Sequence, residues 1–325
     1  MKKILIFLLL TSCASSNRRL PVDINNNVKV AEDLIEQGAV KFWPELKDYK
    51  PLVLINHHNT QYLLNSNTYP NNGYYYFNDT IRHPLGIKIK KRPYHTAYLS
   101  KMHKGLENSI FMIDSQETMS EKGQNWNDYD WITIYIHEVF HLFQNNKLGQ
   151  QLVLSPNKMN TDALISLKKN KSYIDSINQE VQLVRNAVLK LDLQKASNKI
   201  NTCRDLIKHR ENRFKNFKIN NDTKASELFY ETVEGTARYF EKHIDLQAMK
   251  NPKLNKLMNA ELLNYYAKYG RKTFEYMITP LDQNSNYYYD TGFFLSILLD
   301  KISPDWKQDA FKTTLWDQFK HACKK

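Results

Sequence analysis

Trp131 to Gln144 read WITIYIHEVFHLFQ, and this run decides how the rest of the chain is understood. Ile132, Tyr135, Ile136, Val139, Phe140 and Phe143 recur at helical spacing, which predicts a helix, Trp131 to Asn145, buried around most of its girth. Within it lie His137, Glu138 and His141, an HExxH pattern. Four residues advance a helix by about 400°, so the two histidines project from one face, one turn apart. Imidazoles so placed can point at one metal ion, and Glu138 beside them can take a proton from a water that the metal activates. Two histidines and a carboxylate on a helix built for burial are costly unless hydrogen-bonded, paired or bound to metal. A pair of hydrogen-bonded core histidines is the alternative reading.

Outward from that helix the pattern changes on each side. Upstream, Val28 begins VKVAEDLIEQGAVKFW, one helix closed at Pro44, and Pro51 to Asp114 holds short β-branched or aromatic runs parted by Asn, Pro and Gly. These predict four to six strands of a small twisted sheet, with the alternation at Gly86-Ile87-Lys88-Ile89-Lys90 leaving one face solvated. Downstream the chain is helical. Ser172–Leu191 and Leu193–Phe217 form a long antiparallel hairpin, expected to be solvated because it is rich in Lys, Asn and Gln. Thr223–Ile244, Leu254–Tyr269, Tyr289–Lys301 and Asp305–His321 follow. The fold class is therefore α+β: a small N-terminal twisted β-sheet, then a mainly helical C-terminal half with an inserted hairpin at 172–217. The expected organisation is one domain over 28–325, divided at residue 130 into an α/β part (28–130) and a helical part (131–325).

Zinc at a hydrolytic site takes a third protein ligand and keeps a position open for water. The candidate is Glu234, in Val233-Glu234-Gly235-Thr236-Ala237-Arg238-Tyr239-Phe240-Glu241. HExxH followed by this EGxAxY helix resembles the gluzincin zinc metallopeptidases. The resemblance implies a zincin-like fold, Zn²⁺ as cofactor, His137, His141 and Glu234 as metal ligands, and Glu138 as general base. Gly235 and Ala237 agree on physical grounds, since small residues let this helix pack closely on the HExxH helix. Glu231, one turn earlier, is a candidate brace for a ligand histidine or the ligand itself. Thermolysin-like members carry an acid four residues after the third ligand; Arg238 stands there, so the brace falls to Glu231 or Glu241. Ninety-two residues separate His141 from Glu234, far more than in typical gluzincins. The hairpin fills that gap.

Tyr289-Asp-Thr-Gly292 is similar to a YxxG element of several gluzincin families, which implies Tyr289, with Tyr288 next, as the donor to a developing oxyanion. Structural packing is the alternative for either ring in a chain of 20 tyrosines. The G-x-M-E-N strand by which related aminopeptidases capture a free amine is not reproduced in Glu107–Asp114, so exopeptidase action has no support. The same stretch, as an edge strand before the metal helix, could pair with an extended substrate. His57, His58, His83, His95, His103 and His243 have no ligand spacing.

Met1 to Cys13, MKKILIFLLLTSC, has two lysines, seven apolar residues and small polar ones, the layout of a secretory signal too short to span a bilayer. Leu10-Thr-Ser-Cys13 resembles the bacterial lipobox, which implies cleavage after residue 12, acylation of Cys13 and tethering to the cell envelope, the outer membrane by the following Ala14 and Ser15. Residues 13–27 are expected to form a flexible tether. Cys203 and Cys323 remain, able to pair in an oxidising compartment if their geometry allows.

The whole composition agrees with a globular protein: 325 residues, 42% hydrophobic, 25% charged, and too little glycine (9) for a large all-β fold. Its net charge of +12 comes from 36 Lys and only 10 Arg spread along the chain, which predicts no nucleic-acid partner. The expectation is a lipid-anchored zinc metallopeptidase acting on peptide or protein. A non-catalytic lipoprotein that keeps the scaffold for a partner, and a zinc amidase acting on the cell envelope, are the alternatives.

Overall fold

The structure is a computed structural model that describes residues 21–47, 49–58, 60–65, 74–77, 86–89, 110–124, 126–148, 161–248 and 287–324. The expected helix at Leu254–Tyr269 lies outside them, as do His83, His95, His103 and the whole N-terminal segment up to residue 20. The described chain is mostly helical with one small sheet, an α+β protein. It divides into two compact units, one made of residues up to 36 and 48–142, the other of residues 37–47 and 143 onwards.

In the first unit the strands are β1 (Leu52–His57), β2 (Thr60–Leu64), β3 (Tyr74–Phe77), β4 (Gly86–Ile89) and β5 (Ile110–Asp114), ordered β3-β4-β2-β1-β5. β1 runs antiparallel to β2, with Val53 opposite Leu64, and parallel to β5, with Leu52 opposite Ile110. The β1–β2 hairpin turns at His58, whose φ of 48° is the left-handed conformation such a tight turn requires. Val53, Leu54 and Ile55 are buried in succession, so the sheet is covered on both faces at β1. β5 is the outermost strand in this order, as the edge-strand reading expects.

Helix α1 (Val22–Phe42) starts six residues earlier than the periodicity suggests. Residues 22–27 are therefore helix and not tether, because Ile24, Asn27 and Val28 face inward. Asn27 fixes this start by donating to Gln116 Oε1 (3.1 Å) and Asp128 Oδ1 (3.0 Å). A short α2 (Gln116–Glu121), capped by the Ser115 side chain, leads to α3 (Asp128–Leu148), which carries the WITIYIHEVFHLFQ run.

The second unit contains α4 (Thr161–Lys168), α5 (Lys171–Lys190), α6 (Ala196–Asn216), α7 (Asn221–Ala248), α8 (Tyr287–Ile302), a 3₁₀ turn (Pro304–Asp309) and α9 (Leu315–Ala322). The expected single helix over Asp305–His321 is broken in two because Thr314 caps α9, its hydroxyl accepting from the Asp317 amide. α7 packs along α8 at the point where Gly235 meets Gly292. Trp43 stacks on Phe311 at 5.3 Å and meets Trp306 edge-on.

The α5–α6 hairpin forms close to its expected limits, yet it is not a solvated arm. Tyr173, Ile177, Glu180, Val181 and Val184 on α5 and Cys203, Leu206, Arg210, Arg213 and Phe214 on α6 are buried against the unit. Its Lys, Asn and Gln residues occupy only the outer face. A disulfide joins Cys203 of α6 to Cys323 just past α9, with Cα atoms 5.7 Å apart. No helix of the described residues is long and apolar enough to cross a membrane.

Candidate metal centre

α3 begins with reciprocal capping: Asn127 Oδ1 accepts from the Asp130 amide (3.0 Å) and Asp130 Oδ2 accepts from the Asn127 amide (3.2 Å). One residue on, Trp131 Nε1 donates to the Asp114 carbonyl (2.8 Å), which ties the helix to the end of β5. Tyr135 packs edge-on against Phe111 of β5, and Ile132, Ile136, Val139 and Phe140 fill the interior. With the helix fixed in rotation by these contacts, Glu138 and His141 are among its half-buried positions, with Thr133 and Ile134.

His137 is buried, while Glu138 and His141 are half-buried. The two imidazole centroids lie 4.6 Å apart with planes at 86°. One ligand atom from each of the three residues can be chosen so that all lie within 4.8 Å of one another. These three could hold a metal ion; Glu234, though described, is not part of the group. Of the two histidines, His137 is buried, as the core-histidine alternative has it, and His141 is only half-buried.

The other sequence candidates belong to the second unit. Glu234 is half-buried on α7. Gln144, in the last turns of α3, donates to the Val233 carbonyl (2.8 Å) and to Thr236 Oγ1 (2.6 Å), so α3 holds α7 at the step that carries Glu234. The close neighbour that requires Gly235 to lack a side chain is Gly292 of α8, not a residue of α3: a Cβ on Gly235 would lie 2.3 Å from the Gly292 Cα. The small residue was correctly read as a close approach, but the partner helix differs.

Glu231 does not brace a histidine here. Both its oxygens accept from Arg210, Nη1 to Oε2 and Nη2 to Oε1, each at 2.7 Å. Glu241 is buried beside Lys242, which also pairs with Asp245 at 2.9 Å. Tyr289 stands half-buried in the first turn of α8, its ring facing the Arg238 guanidinium at 6.0 Å, and Tyr288 packs at 5.5 Å from Tyr230. Of the histidines judged ordinary, His57 bonds Ser115 (3.0 Å), His58 bonds Glu121 (2.7 Å), and His243 bonds the Tyr239 carbonyl (2.8 Å).

The sequence reading missed a buried ionic network. Arg210 joins Glu180 and Glu231, while Arg213 joins Glu180 and Glu227, and all five side chains are buried. Tyr173 donates its hydroxyl to Glu227 (2.5 Å), Tyr287 does the same (3.1 Å), and the Arg210 guanidinium lies 4.0 Å from the Trp316 ring centre. Burial alone would raise the Glu180 carboxyl, but Arg210 and Arg213 outweigh it and hold the group below its ordinary range. At Glu231 burial wins, helped by repulsion from Glu180 and Glu227, and the carboxyl is raised despite Arg210. Three carboxylates share two guanidiniums. The signal was present: Arg210 and Arg213 share the helical phase of Leu206 and Phe214, the buried stripe of α6.

Against protein-family models, curated proteins and solved structures, the chain has no match.

Proposed function

We propose that this protein is a zinc-dependent metallohydrolase of zincin type, acting on peptide bonds. The observation that carries the reading is that ligand atoms of His137, Glu138 and His141 lie within 4.8 Å of one another on α3, two of the three residues half-buried. Zinc held there would supply the Lewis acidity that polarises a carbonyl and makes water acidic near neutral pH. His137 and His141 are its proposed nitrogen ligands and Glu234 its third ligand, the last on the sequence argument alone. Glu138 takes the proton of the attacking water and returns it to the leaving amine. The Tyr289 hydroxyl is the proposed donor to the oxyanion.

The Cys203–Cys323 disulfide supports an oxidising compartment, and with the lipobox-like Leu10–Cys13 it favours a protein anchored to the bacterial envelope through acylated Cys13. Replacing Cys13 by Ser should move the protein from the membrane fraction to the soluble one.

Metal content and turnover test the main reading together. Purified protein should hold stoichiometric zinc, and the His137→Ala, His141→Ala double variant should lose it. Glu138→Gln should keep zinc and fold while cleavage of a peptide library falls by about 10²–10⁴-fold. Zinc retained in the double variant, or undiminished cleavage by Glu138→Gln, would refute the assignment.

A further inference from the structure

The C-terminal end of the second unit, from the 3₁₀ turn through α9, carries a cleft of about 760 Å³, a size within the range of small-molecule sites. Gln318 of α9 lines it. This side chain is only 9% exposed and its amide is pinned: Nε2 donates to the Asp309 carbonyl (3.0 Å) and to the Thr313 carbonyl (3.4 Å). Turning the amide over would set Oε1 against two carbonyl oxygens, so the orientation is fixed. Oε1 is left enclosed, with no donor among the described residues. Such an acceptor is uncommon in a folded protein and marks a place where a donor from outside the chain belongs.

The lysines and aspartates of the cleft balance: Lys312, Lys320 and Lys324 line it together with Asp305, Asp309 and Asp317. Lys312 pairs with Asp309 (2.5 Å) and Lys320 with Asp317 (2.8 Å), while Lys324 and Asp305 have no ion-pair partner among the described residues. An anion placed here meets three carboxylates and a cation meets three ammoniums, so neither sign of charge is favoured. An ionised carboxylate also has no proton to give to Gln318. A neutral molecule rich in hydroxyls suits the cleft, because each hydroxyl can donate to Gln318 Oε1 or an aspartate and accept from a lysine. Trp306, packed against Trp43 and Tyr239, adds an apolar stretch of wall for the C–H faces of such a ligand.

We propose that this cleft is a carbohydrate-binding site for a neutral oligosaccharide, in which Gln318 Oε1 accepts from a sugar hydroxyl and Asp305 and Lys324 bond further hydroxyls at the rim. All the residues it uses belong to the second unit, and it needs neither His137 nor zinc. It therefore stands or falls separately from the metallohydrolase reading.

The test is a ligand-observed NMR titration of the full-length chain after chelator treatment. The probes are the neutral trisaccharides cellotriose, maltotriose and triacetylchitotriose, the charged trigalacturonate and deacetylated chitotriose, and the zwitterion triglycine. At least one neutral sugar should bind, about tenfold or more tighter than any charged or zwitterionic probe, with an affinity that holds between about 0.05 and 0.5 M salt. Gln318→Leu should weaken that sugar about tenfold. Asp305→Ala, at an exposed position on the rim, should weaken it about threefold with the urea midpoint unmoved, which keeps the test decisive if Gln318→Leu fails to fold. No binding by any neutral sugar, tighter binding of a charged probe or of triglycine, or an affinity that survives Asp305→Ala and a folded Gln318→Leu overturns the proposal. Binding that appears only after zinc is restored belongs to the metal site and overturns it as well.

Discussion

Gly235 of α7 and Gly292 of α8 meet backbone to backbone, so close that a Cβ on Gly292 would lie 2.1 Å from the Glu231 carbonyl oxygen. The atoms it would strike are main chain, which cannot swing aside as a side chain can. Gly235→Ala and Gly292→Ala should therefore each force the helices apart and cost about 3 kcal/mol, at the upper end for overpacking. Urea unfolding measures it, and a loss below about 1 kcal/mol in both variants contradicts the crossing.

The Arg210 cluster predicts a second effect. Arg210→Met leaves Glu180 and Glu231 buried with less compensation and should lower stability by about 3–5 kcal/mol. Adding Glu231→Leu removes one orphaned carboxylate and should recover a sizeable part of that loss. A double variant as unstable as the sum of the two single ones would show that Arg210 and Glu231 are not coupled.

Cys203 and Cys323 are 120 residues apart in sequence, and closing so long a loop in the unfolded chain stabilises the fold by about 5 kcal/mol in the chain-entropy model. Reductant should lower the melting temperature of the wild type and leave a Cys203→Ala, Cys323→Ala variant unmoved. Reaction of both cysteines with a thiol reagent in unreduced native protein is the opposing outcome.

His243 supplies a pH dependence. Burial between Phe42 and Tyr239 lowers its pKa from 6.5 to about 4, against the pull of the Tyr239 carbonyl. The unfolded chain then takes the proton first, so the stability linked to this group is complete above pH 6.5 and is lost as the pH falls towards 4. The loss is on the order of 2–3 kcal/mol. His243→Phe keeps the aromatic packing without a titrating group, and its stability should decline less than that of the wild type across this interval.

Much of this was legible in the chain. The 3.6-residue period of Trp131–Gln144 placed His137, Glu138 and His141 on one face, and strand-like runs before residue 114 announced a sheet ahead of the helices. Gly235 signalled a close approach, but a missing side chain does not name the helix it admits, and Gly292 opposite was not read as its partner. The hairpin was misread because residue type was allowed to outweigh phase: Arg210 and Arg213 look solvated by composition and are buried by position. Their counter-charges, Glu180, Glu227 and Glu231, come from two other helices, and no local pattern records such a pairing. The break before α9 was likewise hidden, since one Thr314 hydroxyl interrupts an otherwise continuous helical pattern.

Tyr173, Tyr239 and Tyr287 have their hydroxyls enclosed and bonded to Glu227, Asp300 and Glu227 respectively, and burial with the adjoining carboxylate raises each above the ordinary phenol range. All three belong to the second unit, so in alkaline solution their phenolate absorbance can develop only as that unit opens. The chain thus contains an intrinsic optical clock for the loosening of its helical half, readable by stopped-flow spectroscopy without any attached dye.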